Sequence, residues 1–189
     1  MSDAPLLSMR GIACIRGGRL LFEGVDLELE AGAAAIVTGP NGAGKSSLIR
    51  IAAGLLRASG GSVARSGAAA LADEGLALDE KLTLGRALRF WARLDGSGRT
   101  GLGALGLEAL TDVPVRMLST GQRKRAALAR VVASNAPLWL LDEPLNGLDG
   151  EGVERLTHML AEHRRAGGAV LAATHQAVAL PGAGEVRLG

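Results

Sequence analysis

Tyrosine is missing from this chain altogether, and two Trp and two Phe are its only aromatics. A chain so poor in flat rings offers little for bases to stack on, which disfavours single-strand nucleic-acid binding. An excess of one charge is lacking too. The formal net charge is +2, too small to argue for nucleic acid as a partner by electrostatics. Cys14 is the one cysteine, which excludes an intramolecular disulfide framework and a Cys-based zinc cluster. A reducing compartment fits a lone thiol. No apolar run approaches the ~18 residues a spanning helix needs. The N-terminus has no basic region followed by an apolar one, so no secretory signal is expected. The expectation is a protein of the cytosol, or one held on a membrane by a partner.

The 189 residues suit one domain, since domains run roughly 100–200 residues, and suffice for a real core. Residues 6–30 read as short strands with a turn at Gly17-Gly18; within them VDLELE alternates as a half-exposed strand does. AAAIVT at 33–38, LWLLDE at 138–143 and AVLAAT at 169–174 are apolar runs of the kind buried parallel strands carry. EVRL near the end is a candidate fourth strand, and a short strand follows the turn at Gly60-Gly61. Helices are expected after residue 44, over 79–95 with Leu84, Leu88, Trp91 and Ala92 on one face, from about 119 to 134, and over 151–166. Residues 96–106 read as a loop. Buried strands alternating with helices predict an α/β fold with a mainly parallel core sheet flanked by helices. Ligands of such sheets bind at the carboxyl ends of the strands.

GPNGAGKSS, residues 39–47, sits at one such end and fits the pattern G-x-x-x-x-G-K-[ST]. Its glycines allow backbone N–H groups to curl around phosphates. Gly39, Pro40, Asn41, Gly42, Ala43, Gly44, Lys45, Ser46 and Ser47 are therefore candidate nucleotide contacts. Lys45 supplies positive charge to the β- and γ-phosphates, and Ser46 offers a hydroxyl to Mg²⁺. The helix that follows points its positive end at the same anion. LWLLDEP, residues 138–144, ends a second strand on two carboxylates. Asp142 suits Mg²⁺ and Glu143 suits a water attacking the γ-phosphate. His175 follows the third strand, where an imidazole can read the phosphate and steady the water. His158 and His163 carry no such context and read as surface residues.

LSTGQRKRAALAR, residues 118–130, poses a puzzle. Arg123, Lys124 and Arg125 fall near the start of a helix, whose positive end prefers an anion.

Together these pieces resemble the nucleotide-binding subunit of ABC transporters, over nearly the whole chain. GPNGAGKSS resembles Walker A, LSTGQ the signature usually written LSGGQ, LLDEP Walker B with its catalytic Glu, NGLD at 146–149 the D-loop, and His175 the switch histidine. The resemblance implies an ATP-hydrolysing P-loop NTPase with a small antiparallel β subdomain and a trimmed helical subdomain over approximately 78–135. It implies ATP and Mg²⁺. It also implies a second copy of the chain, closing head to tail so that each signature helix faces the phosphate held by the other. Ser119, Gly121, Gln122 and Asp149 then join the nucleotide site, and the cations at 123–125 become tolerable beside triphosphate or face solvent. Thr120 stands where Gly is common.

The pattern is departed from in two more places. The aromatic residue that usually stacks on adenine is absent from ACIRGGRLL at 13–21, leaving Arg16 as a guanidinium that can stack. The Gln expected after the second-subdomain strand is absent from LADEGLALDEKLTL at 71–84, leaving Asp73 or Glu74 as substitutes for its metal contact.

Residues 112–149 are most similar to the ATP-binding subunits of cytochrome c biogenesis exporters, the CcmA type. That resemblance implies a polytopic membrane subunit of the CcmB type and a peripheral place on the cytoplasmic face of a bacterial inner membrane. Another small ABC transporter, a soluble ABC-type ATPase and a non-hydrolysing nucleotide sensor remain alternatives at this point.

Overall fold

The computed structural model describes residues 4–73, 75, 77–176 and 178–189. Its first element is a long antiparallel hairpin, β1 (Leu7–Arg16) and β2 (Arg19–Leu29). Gly17 and Gly18 turn it with φ of 55° and 77°, the pair of positive values that a tight two-residue hairpin needs. β4 (Gly60–Arg65) adds to the free edge of β1 and completes a small antiparallel sheet in the order β2-β1-β4.

The second sheet is parallel throughout, in the order β5-β6-β7-β3-β8. It comprises β3 (Ala34–Thr38), β5 (Ala69–Ala72), β6 (Leu138–Asp142), β7 (Ala169–Ala173) and β8 (Gly184–Arg187). All residues of β6 and β7 are buried, as apolar runs covered on both faces must be. Their side chains alternate between two cores. Trp139, Leu141, Val170 and Ala172 join the core beneath helices α2 (Leu84–Leu94), α3 (Thr120–Ala133) and α4 (Gly150–Arg165). Leu138, Leu140, Ala169, Leu171 and Ala173 join the core between α1 (Lys45–Ala53) and the small sheet. Truncating a Leu in either layer costs about 2–5 kcal/mol.

Several elements differ from their sequence reading. β5 carries no local strand signal, because its AALA has small side chains and no β-branched residue; only the resemblance places a strand ahead of residues 71–84. The helix expected from residue 79 begins at Leu84. Asp79 Oδ1 accepts the Lys81 N–H at 2.9 Å and Thr83 bridges to Pro114, so the chain is held in a turn first. The stretch between α2 and α3 holds 3₁₀ turns at Gly103–Leu105, Glu108–Leu110 and Val115–Met117. EVRL does form a strand, pairing with β3.

His163 is not a surface residue. Its ring stacks on Trp139 with centroids 3.8 Å apart and planes 9° apart. A Cβ on Gly168 would sit 2.2 Å from that ring, so the glycine leaves room for the stack. Burial lowers the His163 pKa from the usual imidazole value, partly offset by backbone at Ala169 and Pro137. His158 is exposed, as expected.

Candidate functional site

The carboxyl ends of β5, β6, β7 and β3 lie side by side, and each leads into a segment with chemistry. β3 runs into the phosphate loop. Gly39 has φ 142°, and a Cβ there would lie 2.3 Å from the Leu188 carbonyl oxygen. Gly44, the N-cap of α1, has φ 99° and makes no side-chain cap bond. A Cβ on Gly44 would meet the Phe22 ring at 2.8 Å. The hairpin's aromatic is thus spent behind the loop. Lys45 is 8 % exposed, and its ammonium donates to the carbonyls of Gly39 (2.8 Å) and Pro40 (3.3 Å). Ser46 and Ser47 occupy the first turn of α1, with Ser46 exposed.

A cleft of about 330 Å³ over this loop is lined by Leu21, Asn41, Gly42, Gly44, Lys45, Ser46, Ser47 and Glu143. The phosphate loop and the second carboxylate of LLDE therefore border one space. Leu21, which sequence reasoning missed, is the hairpin residue on that wall. Arg16 sits at the hairpin turn, paired with Arg19 and exposed.

β6 ends on Asp142, 3 % exposed. Glu143 then leaves the strand with φ 47°, the only non-glycine with positive φ among the described residues. Such a backbone costs on the order of 1–3 kcal/mol and is held only when its surroundings fix it. Here the Glu143 N–H donates to the Ala173 carbonyl at 2.8 Å and the Asn146 N–H returns to the Glu143 carbonyl at 3.2 Å. His175 Nδ1 approaches Glu143 Oε2 to 2.9 Å. Thr174, just before it, is buried, and its hydroxyl accepts the Gln176 N–H at 3.0 Å. The Gln176 amide donates to Asn146 Oδ1 at 3.0 Å. Asp142, Glu143 and His175 are thus brought together on neighbouring strand ends.

The LSTGQ segment begins α3. Ser119 and Gln122 form a reciprocal capping box: Ser119 Oγ accepts the Gln122 N–H at 3.2 Å, and Gln122 Oε1 accepts the Ser119 N–H at 2.9 Å. Gly121 lies against the D-loop, where an added Cβ would be 2.5 Å from the Gly147 carbonyl oxygen. Asp149 caps α4, its Oδ1 accepting the Gly152 N–H at 2.8 Å.

Two of the cations that follow Gln122 are engaged within the subunit itself. Arg123 donates to the carbonyls of Arg116 (2.7 Å) and Leu118 (3.1 Å) and pairs with Glu80 at 3.1 Å. Lys124 donates to the Asp142 carbonyl at 2.9 Å. Backbone carbonyls and the Glu80 carboxylate are what these two cations serve, which offsets the unfavourable charge near the helix start. Asp73, at the end of β5, pairs with Arg50 at 3.4 Å and accepts the Gly75 N–H at 3.0 Å. Glu74 lies outside the described residues. A second cleft of about 340 Å³ is bordered by Asp73, Thr120, Arg123, Lys124, Ala127, Glu143 and Asn146.

Residues 22–146 match the ABC transporter family. The chain belongs to that family. Among its relatives is the cytochrome c biogenesis ATP-binding export protein CcmA of Sphingopyxis alaskensis, 56 % identical over 188 residues, covering 97 % of each chain. The protein of that name from Novosphingobium aromaticivorans is 60 % identical over 169 residues, covering 89 % of this chain and 88 % of its own. The solved ATP-binding subunit of an ABC transporter superposes with a TM-score of 0.81 at 25 % identity, covering 90 % of this chain and 79 % of the other. A dimeric ATP-binding cassette bound to ADP and phosphate has the same fold, with a TM-score of 0.81 at 20 % identity. The fold is therefore the ABC type of P-loop NTPase: a parallel sheet with helices and a small antiparallel sheet.

Proposed function

We propose that the protein is the ATP-hydrolysing subunit of an exporter complex energising c-type cytochrome biogenesis, by haem export or by release of a haem chaperone. The cleft shared by the phosphate loop and Glu143 carries the ATPase part. The relatives' names support the cytochrome part. In this reading residues 1–189 act as one nucleotide-binding unit, with residues of about 78–135 as its helical part. Its partners are a second copy, closing head to tail over two nucleotides, and a polytopic membrane subunit of the CcmB type. It sits on the cytoplasmic face of the inner membrane as a peripheral protein; among the described residues no helix is long and apolar enough to cross a membrane.

The loop from Gly39 to Ser47 holds the phosphates through its backbone N–H groups, Pro40 having none to give, and Lys45 adds charge. Ser46 and Asp142 offer the hard oxygen donors that Mg²⁺ takes. Among the described residues no group of three or more His, Cys, Asp or Glu is placed to hold a metal ion by itself. Mg²⁺ bound through one or two such donors would be completed by phosphate oxygens and water. Bound there, Mg²⁺ neutralises charge on the phosphates. Glu143 orients a water in line with the γ-phosphorus. Its oxygen bonds to phosphorus as the β–γ bridge breaks, leaving ADP, phosphate and a proton. His175, beside Glu143, fixes the carboxylate and reads the departing phosphate. Ser119 and Gly121 of the second copy supply donors from the far side.

Replacing Lys45 with Ala in the source bacterium and staining membrane proteins for covalently bound haem tests the assignment. Loss of c-type cytochromes at normal levels of the variant is expected. Retention of the stained bands would sink the cytochrome role and leave an ABC ATPase with another cargo.

A further inference from the structure

Glu143 occupies the left-handed region, so its carboxylate points where the peptide before it dictates. That peptide, joining Asp142 to Glu143, is gripped at both ends. Its N–H, from Glu143, donates to the Ala173 carbonyl of β7 at 2.8 Å. Its C=O, from Asp142, accepts from the Lys124 ammonium at 2.9 Å. The first grip comes from the neighbouring strand. The second comes from α3, one turn beyond the capping box of Ser119 and Gln122. Lys124 also borders the second cleft with Glu143 itself.

We propose that Lys124 is a positioning residue for hydrolysis: it fixes the Asp142–Glu143 peptide plane and so aims the Glu143 carboxylate. The proposal rests on the ATPase reading above. Lys124 donates to the Asp142 carbonyl. It works through a carbonyl that leads directly into the residue orienting the water. A rotation of that plane swings the carboxylate, and in-line attack tolerates little displacement: about 1 Å of error can cost ~100-fold in rate. An ammonium suits the task because it donates strongly to a carbonyl from a flexible stem. The same arrangement joins two functions on one helix. The first turn of α3 carries the signature residues, and its second turn holds the subunit's own Glu143. A shift of α3 therefore reaches the catalytic carboxylate through one side chain.

The test compares Lys124→Met, which keeps length and loses the donor, with Lys124→Arg, which keeps a donor. ATP turnover is measured on the full chain with its membrane partner. Amide hydrogen exchange over residues 138–145 is measured on the full chain without nucleotide. For Lys124→Met, kcat is expected to fall by about 10- to 100-fold with KM within about twofold, the pattern of a group acting in the transition state. Lys124→Arg should recover most of the rate. Exchange at the Glu143 amide should quicken about tenfold or more in the Met variant only, since releasing one end of the peptide loosens the other. Wild-type kcat in Lys124→Met overturns the proposal. So does a loss that follows a lowered unfolding midpoint and that Arg does not rescue. If the wild-type complex hydrolyses no ATP, the ATPase reading falls, while unchanged exchange separately overturns the clamp.

Discussion

Two helices in this protein present their N-termini as candidate phosphate sites, and they are built in opposite ways. α1 starts at Gly44, in a left-handed conformation with no side chain to cap it. Its first N–H groups are left for a ligand, and the cradle is complete only with an anion in it. α3 starts at Ser119, with a capping box that satisfies two donors internally. The Ser119 and Gln122 N–H groups have their partners before any ligand arrives. The difference matches the two tasks proposed for them. The phosphate loop must hold nucleotide within its own subunit, so it gives up self-sufficiency for affinity. The signature must wait, intact, for a phosphate that another copy brings. Ser119 Oγ accepts from Gln122, so its proton is still available to donate outward.

Gly44→Ala breaks the comparison hardest. The new methyl must enter a φ of 99° and meets the Phe22 ring at 2.8 Å. We expect a loss of about 1–3 kcal/mol in urea unfolding, together with loss of binding to a fluorescent ATP analogue. Ser119→Ala should remove the cap and cost about 1 kcal/mol, with the subunit's own nucleotide affinity unchanged and turnover of the assembled complex reduced. Normal turnover in that variant would detach the signature from catalysis. Gln122→Glu sharpens the contrast further. Glu can keep the reciprocal cap, so stability should stay within about 0.5 kcal/mol. The added negative charge would face a partner's phosphate, so nucleotide-driven dimerisation, read by light scattering, should weaken.

The smallest effect lies away from both helix ends and serves as a control. Burial lowers the His163 pKa below the ~6.5 of the unfolded chain. Between the two values the unfolded chain binds a proton that the folded protein refuses. Stability from His163 is therefore whole above about pH 6.5 and declines as pH falls through it toward the folded value. His163→Phe should flatten that slope in pH-dependent unfolding and leave nucleotide binding alone. A slope that stays the same would assign the acid sensitivity to other groups.

Much of this was legible in the chain because motifs and periodicity are local. GPNGAGKSS, LLDEP and LSTGQ each lie in one element, and apolar runs marked β3, β6 and β7. What escaped was set by tertiary packing. AALA has no strand-forming side chains of its own and becomes β5 because β6 offers it a parallel edge. His163 looked like a polar residue on a helix; only Trp139, 24 positions earlier in sequence, turns it inward. The cations after Gln122 point to an anion by the usual rule for helix ends, yet Lys124 serves a carbonyl and Arg123 serves two carbonyls and Glu80, partners that no sequence pattern announces. Leu21 reaches the nucleotide cleft because the hairpin folds over it.

Lys45 carries a last consequence. Before any nucleotide arrives its ammonium is already engaged, by the carbonyls of Gly39 and Pro40. Binding is then an exchange of partners, not the filling of a vacancy, and the observed affinity records only the difference between the old bonds and the new. An incoming anion must replace two neutral carbonyls, and its charge is what makes the exchange favourable. The loop is thereby kept from burying an ammonium with no partner.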